Sequence, residues 1–176
     1  VERELASFSS DLALVFEPEH LVDFDVMHSI PQPVCAVFAA DHPLANKPDL
    51  RLRDCLEHPH ILPATEYGVR NLLDRAAKAQ GRIVTPVVDT ESFELIRHYV
   101  RHEQVVGFQI PIGLQAAADN GLVFRELPER DVPIGHLLLG QLKGRVLPVA
   151  TSRFAMQLSV ALEELAQPPE PHPCLS

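Results

Sequence analysis

Hydrophobic residues in this 176-residue chain follow two kinds of pattern, short unbroken apolar runs and longer amphipathic stretches. The unbroken runs are bounded mostly by polar residues or proline, which is typical of strands buried on both faces. They predict strands at 11–16, 33–40, 60–64, 82–88, 104–111, 122–127 and 135–142.

The amphipathic stretches predict helices. One has apolar residues at helical spacing from Val69 to Ala77 and stops at Gly81. A second has the same stripe from Phe93 to Val100, and either Asp89 or Thr90 is expected to cap it. A short helix over 112–120 and a last one over 152–165 complete the set.

Strands that alternate with helices of this length are typical of βαβ units, which predicts an α/β fold with a largely parallel sheet. The tail 166–176, AQPPEPHPCLS, is rich in proline and is predicted to be disordered.

Composition and charge narrow the classes of partner. A chain with 46% hydrophobic and 22% charged residues is typical of a soluble globular protein. No apolar run approaches the roughly 20 residues that a membrane-spanning helix needs, and the first residues are polar, so we expect a cytoplasmic protein with no membrane partner. The formal net charge is −9 with scattered Lys and Arg, which opposes direct binding of a phosphate backbone.

The three cysteines, Cys35, Cys55 and Cys174, are odd in number and far apart, so reduced thiols are expected. The first residues, VEREL, look like the end of a helix, and there is no initiating Met. We therefore expect this chain to be a fragment of a longer polypeptide.

The motif CLEHPH supplies the best metal candidates, Cys55, His58 and His60, with His42 upstream. Structural zinc needs four ligands and catalytic zinc three plus water, and this spacing belongs to no common zinc module. The favoured interpretation is a polar loop that leads into a strand, with no metal and no cofactor.

Motifs for catalysis are absent from the sequence. No Gly-x-Ser-x-Gly pentapeptide offers a nucleophile, and no Gly-x-Gly-x-x-Gly follows a strand. Cys35 lies inside a predicted strand, where a small buried hydrophobe is the favoured role. No catalytic residue is predicted.

The turns PATEYG and VVDTESFE each join a strand to a helix. In open α/β sheets, ligands collect beyond the carboxyl ends of strands, where helix N-termini present free N–H groups. The hydroxyls of Thr65, Thr90 and Ser92 either contact such a ligand or cap their own helices, and the sequence leaves both roles open.

The order of these motifs resembles the effector-binding domain of LysR-type transcriptional regulators. The resemblance rests on DLALVF, DHPLA at 41–45, GFQIP, a closing strand with an Arg-containing loop, and a last helix that carries Phe154. It covers residues 1–165, and it is the spacing of the whole series that is specific.

The resemblance implies a fold like that of type 2 periplasmic binding proteins, with two Rossmann-like lobes joined by two crossing strands near 34–39 and 136–141. Lobe I would comprise 1–35 and 139–165, and lobe II 36–138, followed by the tail 166–176. The family's domain starts earlier, with further strands of lobe I behind a winged helix-turn-helix, so the chain is expected to be truncated at its N-terminus.

By position, the resemblance implies effector contacts from two strand-to-helix turns of lobe II, from the strand nearest the cleft and from the hinge. The corresponding residues are Pro63, Ala64, Thr65, Thr90, Glu91, Ser92, Phe108, Gln109, Cys35 and Ala36.

The function implied is a non-enzymatic sensor: a small-molecule effector binds between the lobes, the domains form homodimers or tetramers, and DNA is bound only by the missing N-terminal domain. The effector's charge stays open, since helix N-termini favour an anion while Glu66 and Glu91 oppose one. Two alternatives also stay open: an α/β enzyme with a metal at Cys55, His58 and His60, or a transport-type solute-binding protein.

Overall fold

The computed structural model describes residues 10–18, 23–114 and 121–166. Their strands form two sheets: a small sheet in the order β1-β8-β2 and a large sheet in the order β5-β4-β6-β3-β7. The strands are β1 (Ala13–Phe16), β2 (Phe24–Gln32), β3 (Cys35–Ala39), β4 (His60–Pro63), β5 (Val88–Thr90), β6 (Val106–Gln109), β7 (Leu122–Glu126) and β8 (Gly135–Leu142). The helices are α1 (Leu52–Leu56), α2 (Gly68–Ala79), α3 (Phe93–His102) and α4 (Val149–Ala166), with a 3-10 turn at Pro111–Gly113.

The centre of the large sheet is the unit β4–α2–β5–α3–β6, as the alternating pattern predicts. Strand β4 pairs in parallel with both β5 and β6. Helix α3 packs Ile96 and Val100 so closely on β6 that a Cβ at Gly107 would lie within 3 Å of both side chains. This unit brings the carboxyl ends of three strands to one edge of the sheet.

The expectation of a largely parallel sheet is wrong. All pairs in the small sheet are antiparallel, and in the large sheet β3 runs antiparallel to both of its neighbours. Helices alternate with strands from β3 to β6, but parallel pairing is limited to β4, β5 and β6. Strand β3 is reached by a direct passage from β2 in the small sheet, so its direction is not set by a crossover helix.

The strand predicted at 82–88 is mostly wrong, because only Val88–Thr90 pairs. Its partner β4 is four residues long and meets β5 in the register Ile61 to Val88. The residues before Val87 therefore lie beyond the amino-terminal end of β4 and have no neighbouring strand to pair with in the described part of the chain.

Strand β2 was not predicted from the sequence because it is an edge strand. It pairs only with β8, most of its side chains are exposed or half-buried, and Pro31 lies within it. An edge position tolerates proline and lacks the continuous apolar run of a buried strand.

Two predicted segments fall partly outside the described residues. Of the short helix expected at 112–120, the structure has the 3-10 turn at Pro111–Gly113, and residues 115–120 are not described. The tail from residue 167 onward likewise lies outside the described ranges. The last helix is confirmed as α4 and begins at Val149.

The chain passes between the sheets twice, once between β2 and β3 at residues 33–34 and once between β7 and β8 at 127–134. Each sheet has its own buried apolar cluster, centred on Phe38 and Phe108 in the large one and on Ile30 and Leu137 in the small one. Phe16 packs against both clusters. Within the described ranges, no helix has the length and apolar character needed to cross a bilayer.

Candidate functional site

The residues expected to contact an effector share one edge of the large sheet. Pro63, at the end of β4, pairs with Thr90 at the end of β5, and Gln109, at the end of β6, pairs with Cys35 at the start of β3. Both passages of the chain to the small sheet leave from this same edge. The fold therefore gathers these residues where the two sheets meet.

Burial divides the ten predicted positions into two groups. Thr65, Glu91 and Ser92 are exposed, and Ala64 and Thr90 are half-buried. The buried group comprises Pro63, Phe108, Gln109, Cys35 and Ala36. In this conformation the first group can offer side chains to a guest, and the second forms the support behind it.

The turn after β4 is tied directly to the turn after β5. Ala64 donates its N–H to the carbonyl of Thr90 at 2.9 Å. The hydroxyl of Tyr67 donates to the carbonyl of Glu91 at 3.1 Å, and its ring meets that of Phe93 edge to face. Tyr67 was not predicted as a site residue, although an aromatic two residues after Thr65 in the same turn is a usable signal.

Helix α3 is capped by Ser92, so the expectation that Asp89 or Thr90 caps it is wrong. The Ser92 hydroxyl accepts the N–H of Leu95 at 3.1 Å, while the Thr90 hydroxyl accepts the N–H of Ser92 at 3.1 Å. The Thr65 hydroxyl makes no hydrogen bond to any residue in the described part of the chain. Thr65 is thus the hydroxyl at this edge whose bonding capacity is unused.

Gln109 supports the edge from behind. Its amide nitrogen donates to the carbonyl of Phe93 at 3.1 Å, and its amide oxygen accepts from Arg97 at 3.2 Å. Arg97 also donates to the carbonyl of Gly113 at 3.1 Å. One buried amide therefore joins the start of α3 to the turn after β6.

The arginines at this edge are committed to acidic partners. Arg70, buried at the start of α2, bonds Asp74 at 2.9 Å and also pairs with Asp89. Arg97 pairs with Glu94.

Glu66 and Glu91, in the two turns, are exposed, and neither carboxylate forms an ion pair with any described residue. The surface beside Thr65 is therefore net negative, which disfavours an anionic guest at this wall.

The histidine and cysteine cluster does not assemble into a metal centre. Within the described ranges, no three His, Cys, Asp or Glu side chains are placed to hold an ion. The Cys55 thiol is buried in the core, and burial raises its pKa to about 12, which disfavours the thiolate that binds metal. His60 directs Nδ1 to the carbonyl of His58 at 2.8 Å.

Cys35 is likewise a poor candidate for a nucleophile or a metal ligand. Burial, with a smaller effect from Glu126, raises the pKa of its thiol to about 12. Cys35 is 3% exposed and belongs to the buried apolar cluster of the large sheet. Cys35 therefore acts as the small buried hydrophobe that the sequence favours.

Comparisons with known proteins match the chain to one family throughout. The family model described as LysR substrate binding domain matches residues 1–162. A curated relative, the HTH-type transcriptional regulator CysB of Burkholderia cenocepacia, is 28% identical over 134 residues, which cover 73% of this chain and 39% of the relative. The chain thus spans well under half the length of that relative.

Solved structures share the fold. The regulatory domain of CcmR from Synechocystis, in complex with 2-PG, has a TM-score of 0.78 at 20% identity, covering 91% of this chain and 77% of that one. HinK, a LysR family transcriptional regulator from Pseudomonas aeruginosa, has a TM-score of 0.74 at 21% identity, covering 93% and 56%. These likenesses confirm the expected α/β fold class.

Proposed function

Because the chain belongs to the LysR substrate-binding domain family, we propose that it is the effector-binding domain of a LysR-type regulator and senses a small molecule between its two sheets. The observation that carries this proposal is the shared edge. Two strand-to-helix turns present solvent-facing polar side chains, including Thr65, at one edge of the large sheet. Both passages to the small sheet leave from this edge.

Within this proposal, Thr65, Thr90, Glu91 and Ser92 contact the effector through their side chains, and Ala64 does so through its backbone. The buried group, Pro63, Phe108, Gln109, Cys35 and Ala36, holds these turns in place. The proposed division into lobes at residues 35/36 and 138/139 lies within a few residues of the two passages and falls inside β3 and β8.

The proposed mechanism is a change in the relation of the two sheets. An effector alters that relation only if it binds one arrangement more tightly than the other. The two passages at 33–34 and 127–134 are the segments that would absorb the change.

For the whole protein we propose cytoplasmic location, assembly into homodimers or tetramers, and DNA binding through a winged helix-turn-helix outside this chain. Its role would be binding rather than catalysis. The family match favours a regulator over a transport-type solute-binding protein, and the scattered Cys55, His58 and His60 disfavour the metalloenzyme.

The proposal is tested by thermal unfolding of the chain with panels of organic acids, amines, polyols and nucleobases. A guest at a hundred times its dissociation constant stabilises the folded state by about 2.7 kcal/mol. Thr65→Val should reduce the response, whereas Thr85→Val, a matched change at an exposed threonine on the 82–87 loop, should leave it intact. A response equal in both variants would contradict the site, and no response to any panel would contradict the sensory role.

A further inference from the structure

The two sheets touch where β1 ends against the start of α2. A Cβ added to Gly68, the first residue of α2, would lie 1.9 Å from the carbonyl oxygen of Phe16 and 3.0 Å from that of Glu17. We infer that Gly68 is a positioning residue that sets the separation of the two sheets beside the candidate site. The effect of this separation on effector binding rests on the proposed function.

Backbone conformation does not require glycine at this position. The glycines with positive φ are Gly81, Gly121 and Gly144, and Gly68 is not among them. What glycine provides here is the missing Cβ, which lets backbone meet backbone across the two sheets.

The partner of Gly68 on the small sheet is held rigidly. Glu17 donates its N–H to the carbonyl of His136 at 3.1 Å, and its carboxylate accepts the N–H of His136 at 2.8 Å. A Cβ at Gly135 would lie 2.3 Å from the Phe16 ring, so that ring is also closely confined. The carbonyl of Phe16, which shares a peptide plane with the Glu17 N–H, therefore cannot turn aside without breaking a bond inside the small sheet.

The start of α2 is held equally firmly on the large sheet. The carbonyl of Tyr67 accepts the N–H groups of Arg70 and Asn71 at 3.0 and 3.2 Å. Arg70 also bonds Asp89 and donates to the carbonyl of Pro63 at 3.4 Å. A side chain at position 68 therefore meets a rigid body on each side, and its volume must be accommodated by moving the bodies apart.

The movement would open the candidate site itself. Thr65 lies three residues before Gly68 in the same turn, so a change in separation at Gly68 reaches Thr65 directly. Relief of the 1.9 Å contact to at least 3.0 Å needs a displacement of about an ångström or more. An ion pair across this contact, Arg75 to Glu17 at 3.7 Å, involves an exposed arginine and opposes the displacement only weakly.

The test compares Gly68→Ala with Gly113→Ala in the 176-residue chain. A Cβ at Gly113 has no neighbour closer than the Gln109 amide oxygen at 3.9 Å, so this control adds the same methyl without a clash. The two passages at 33–34 and 127–134 link the sheets, so a displacement at the Gly68 contact turns one sheet relative to the other, and residual dipolar couplings measured by NMR report the orientation of each sheet separately. We expect Gly68→Ala to change the relative orientation of the two sheets by several degrees with each sheet internally unchanged, and Gly113→Ala to leave it unchanged.

An unchanged orientation in a folded Gly68→Ala protein would overturn the inference. If that variant does not fold, the unsubstituted chain decides: nuclear Overhauser effects between the α-protons of Gly68 and carbon-bound protons of Phe16 or Glu17 should be observed, and their absence would overturn it. The compound panels with Thr65→Val test the sensory role separately, so either conclusion can fail without the other.

Discussion

Asp131 accepts two hydrogen bonds from the guanidinium of Arg51, from Nε at 2.7 Å and from Nη2 at 2.5 Å. The same carboxylate accepts the N–H of Leu52 at 3.0 Å, at the start of α1. Asp131 lies in the second passage between the sheets, so this contact fastens most of that passage to the large sheet. Within this second passage, a change in the relation of the two sheets would therefore fall mainly on the residues after Val132.

Removal of this carboxylate should destabilise the fold. Asp131→Ala leaves the buried Leu52 N–H unpaired and should lower the free energy of unfolding by about 2 kcal/mol. Urea unfolding followed by circular dichroism measures the change. Asp49→Ala, an exposed aspartate nearby in sequence, is the comparison, although its positive φ of 49° adds its own effect. Equal stability of Asp131→Ala and the unsubstituted chain would contradict the anchoring role.

Asp131 also predicts a pH dependence. The hydrogen bond from Arg51 lowers the pKa of Asp131 below its usual value of 3.8. A carboxyl whose pKa is lower in the folded than in the unfolded chain stabilises the fold fully at pH values above its unfolded pKa. This stabilisation is lost as the pH falls through the folded pKa. The unfolding free energy of the unsubstituted chain should therefore fall more steeply below about pH 4 than that of Asp131→Asn. Parallel pH profiles would count against the pair.

His42 predicts a second pH effect, at higher pH. Burial, and then the neighbouring His58, lower the pKa of His42 from 6.5, with Asp41 acting in the opposite direction. Its Nδ1 accepts the N–H of Leu44 at 3.2 Å, and its Nε2 is buried without a partner in the described structure.

Protonation of His42 is therefore easier in the unfolded chain, so stability should decline as pH falls below about 6.5. Thermal unfolding between pH 7.5 and 5 should show this decline, and His42→Phe should reduce it, since the ring at this position already stacks on Phe38. His98→Phe, on the exposed side of α3, serves as the control. If His42→Phe shows the same decline as the unsubstituted chain, the acid sensitivity comes from another group.

The buried thiols should be inert in the folded protein. A pKa of about 12 for Cys35 and Cys55 leaves so little thiolate at pH 8 that alkylation should be roughly a thousandfold slower than in the unfolded chain. Mass spectrometry of peptides after iodoacetamide treatment, with and without denaturant, measures both rates. Rapid labelling of Cys35 in the folded chain would show that its surroundings open readily.

Gln109 should matter for both stability and effector response. Gln109→Leu removes the hydrogen bonds of the amide to the Phe93 carbonyl and to Arg97, which keeps its contacts with Gly113 and Glu94, and should cost about 1–3 kcal/mol. Because it loosens the start of α3, it should also weaken the response to any guest that the compound panels identify. Gln104→Leu, at an exposed glutamine before β6, is the matched control. A neutral Gln109→Leu would remove Gln109 from the supporting group.

The sequence predicts the central part of the fold well because its pattern is strong there. Apolar stripes from Val69 to Ala77 and from Phe93 to Val100 mark α2 and α3, and their burial confirms them. Strand β2 was missed because an edge strand needs no continuous apolar run. The expectation of a largely parallel sheet was wrong because a direct passage between sheets, such as the one that leads into β3, leaves no mark on local periodicity.

The candidate site was predicted by position but not in detail. The turns at Thr65 and Thr90 were identified, whereas the exposure that separates Thr65 from Phe108 depends on packing across the whole sheet. Tyr67 could have been found from its aromatic ring in the same turn as Thr65, but Gly68 was missed because its partner, Phe16, lies far away in the chain. Local patterns contain no information about such contacts.

The central claim is that a guest binds at the shared edge of the large sheet, between the two sheets. Its most direct test is an amide chemical-shift titration of the 176-residue chain with the compound that raises the unfolding temperature most. The account predicts saturable shifts at Thr65, Thr90, Glu91 and Ser92, together with smaller shifts in the two passages at 33–34 and 127–134. Saturable shifts confined to other surfaces, such as the loop around Thr85, would contradict binding at the shared edge if the amides of Thr65, Thr90, Glu91 and Ser92 show no shift.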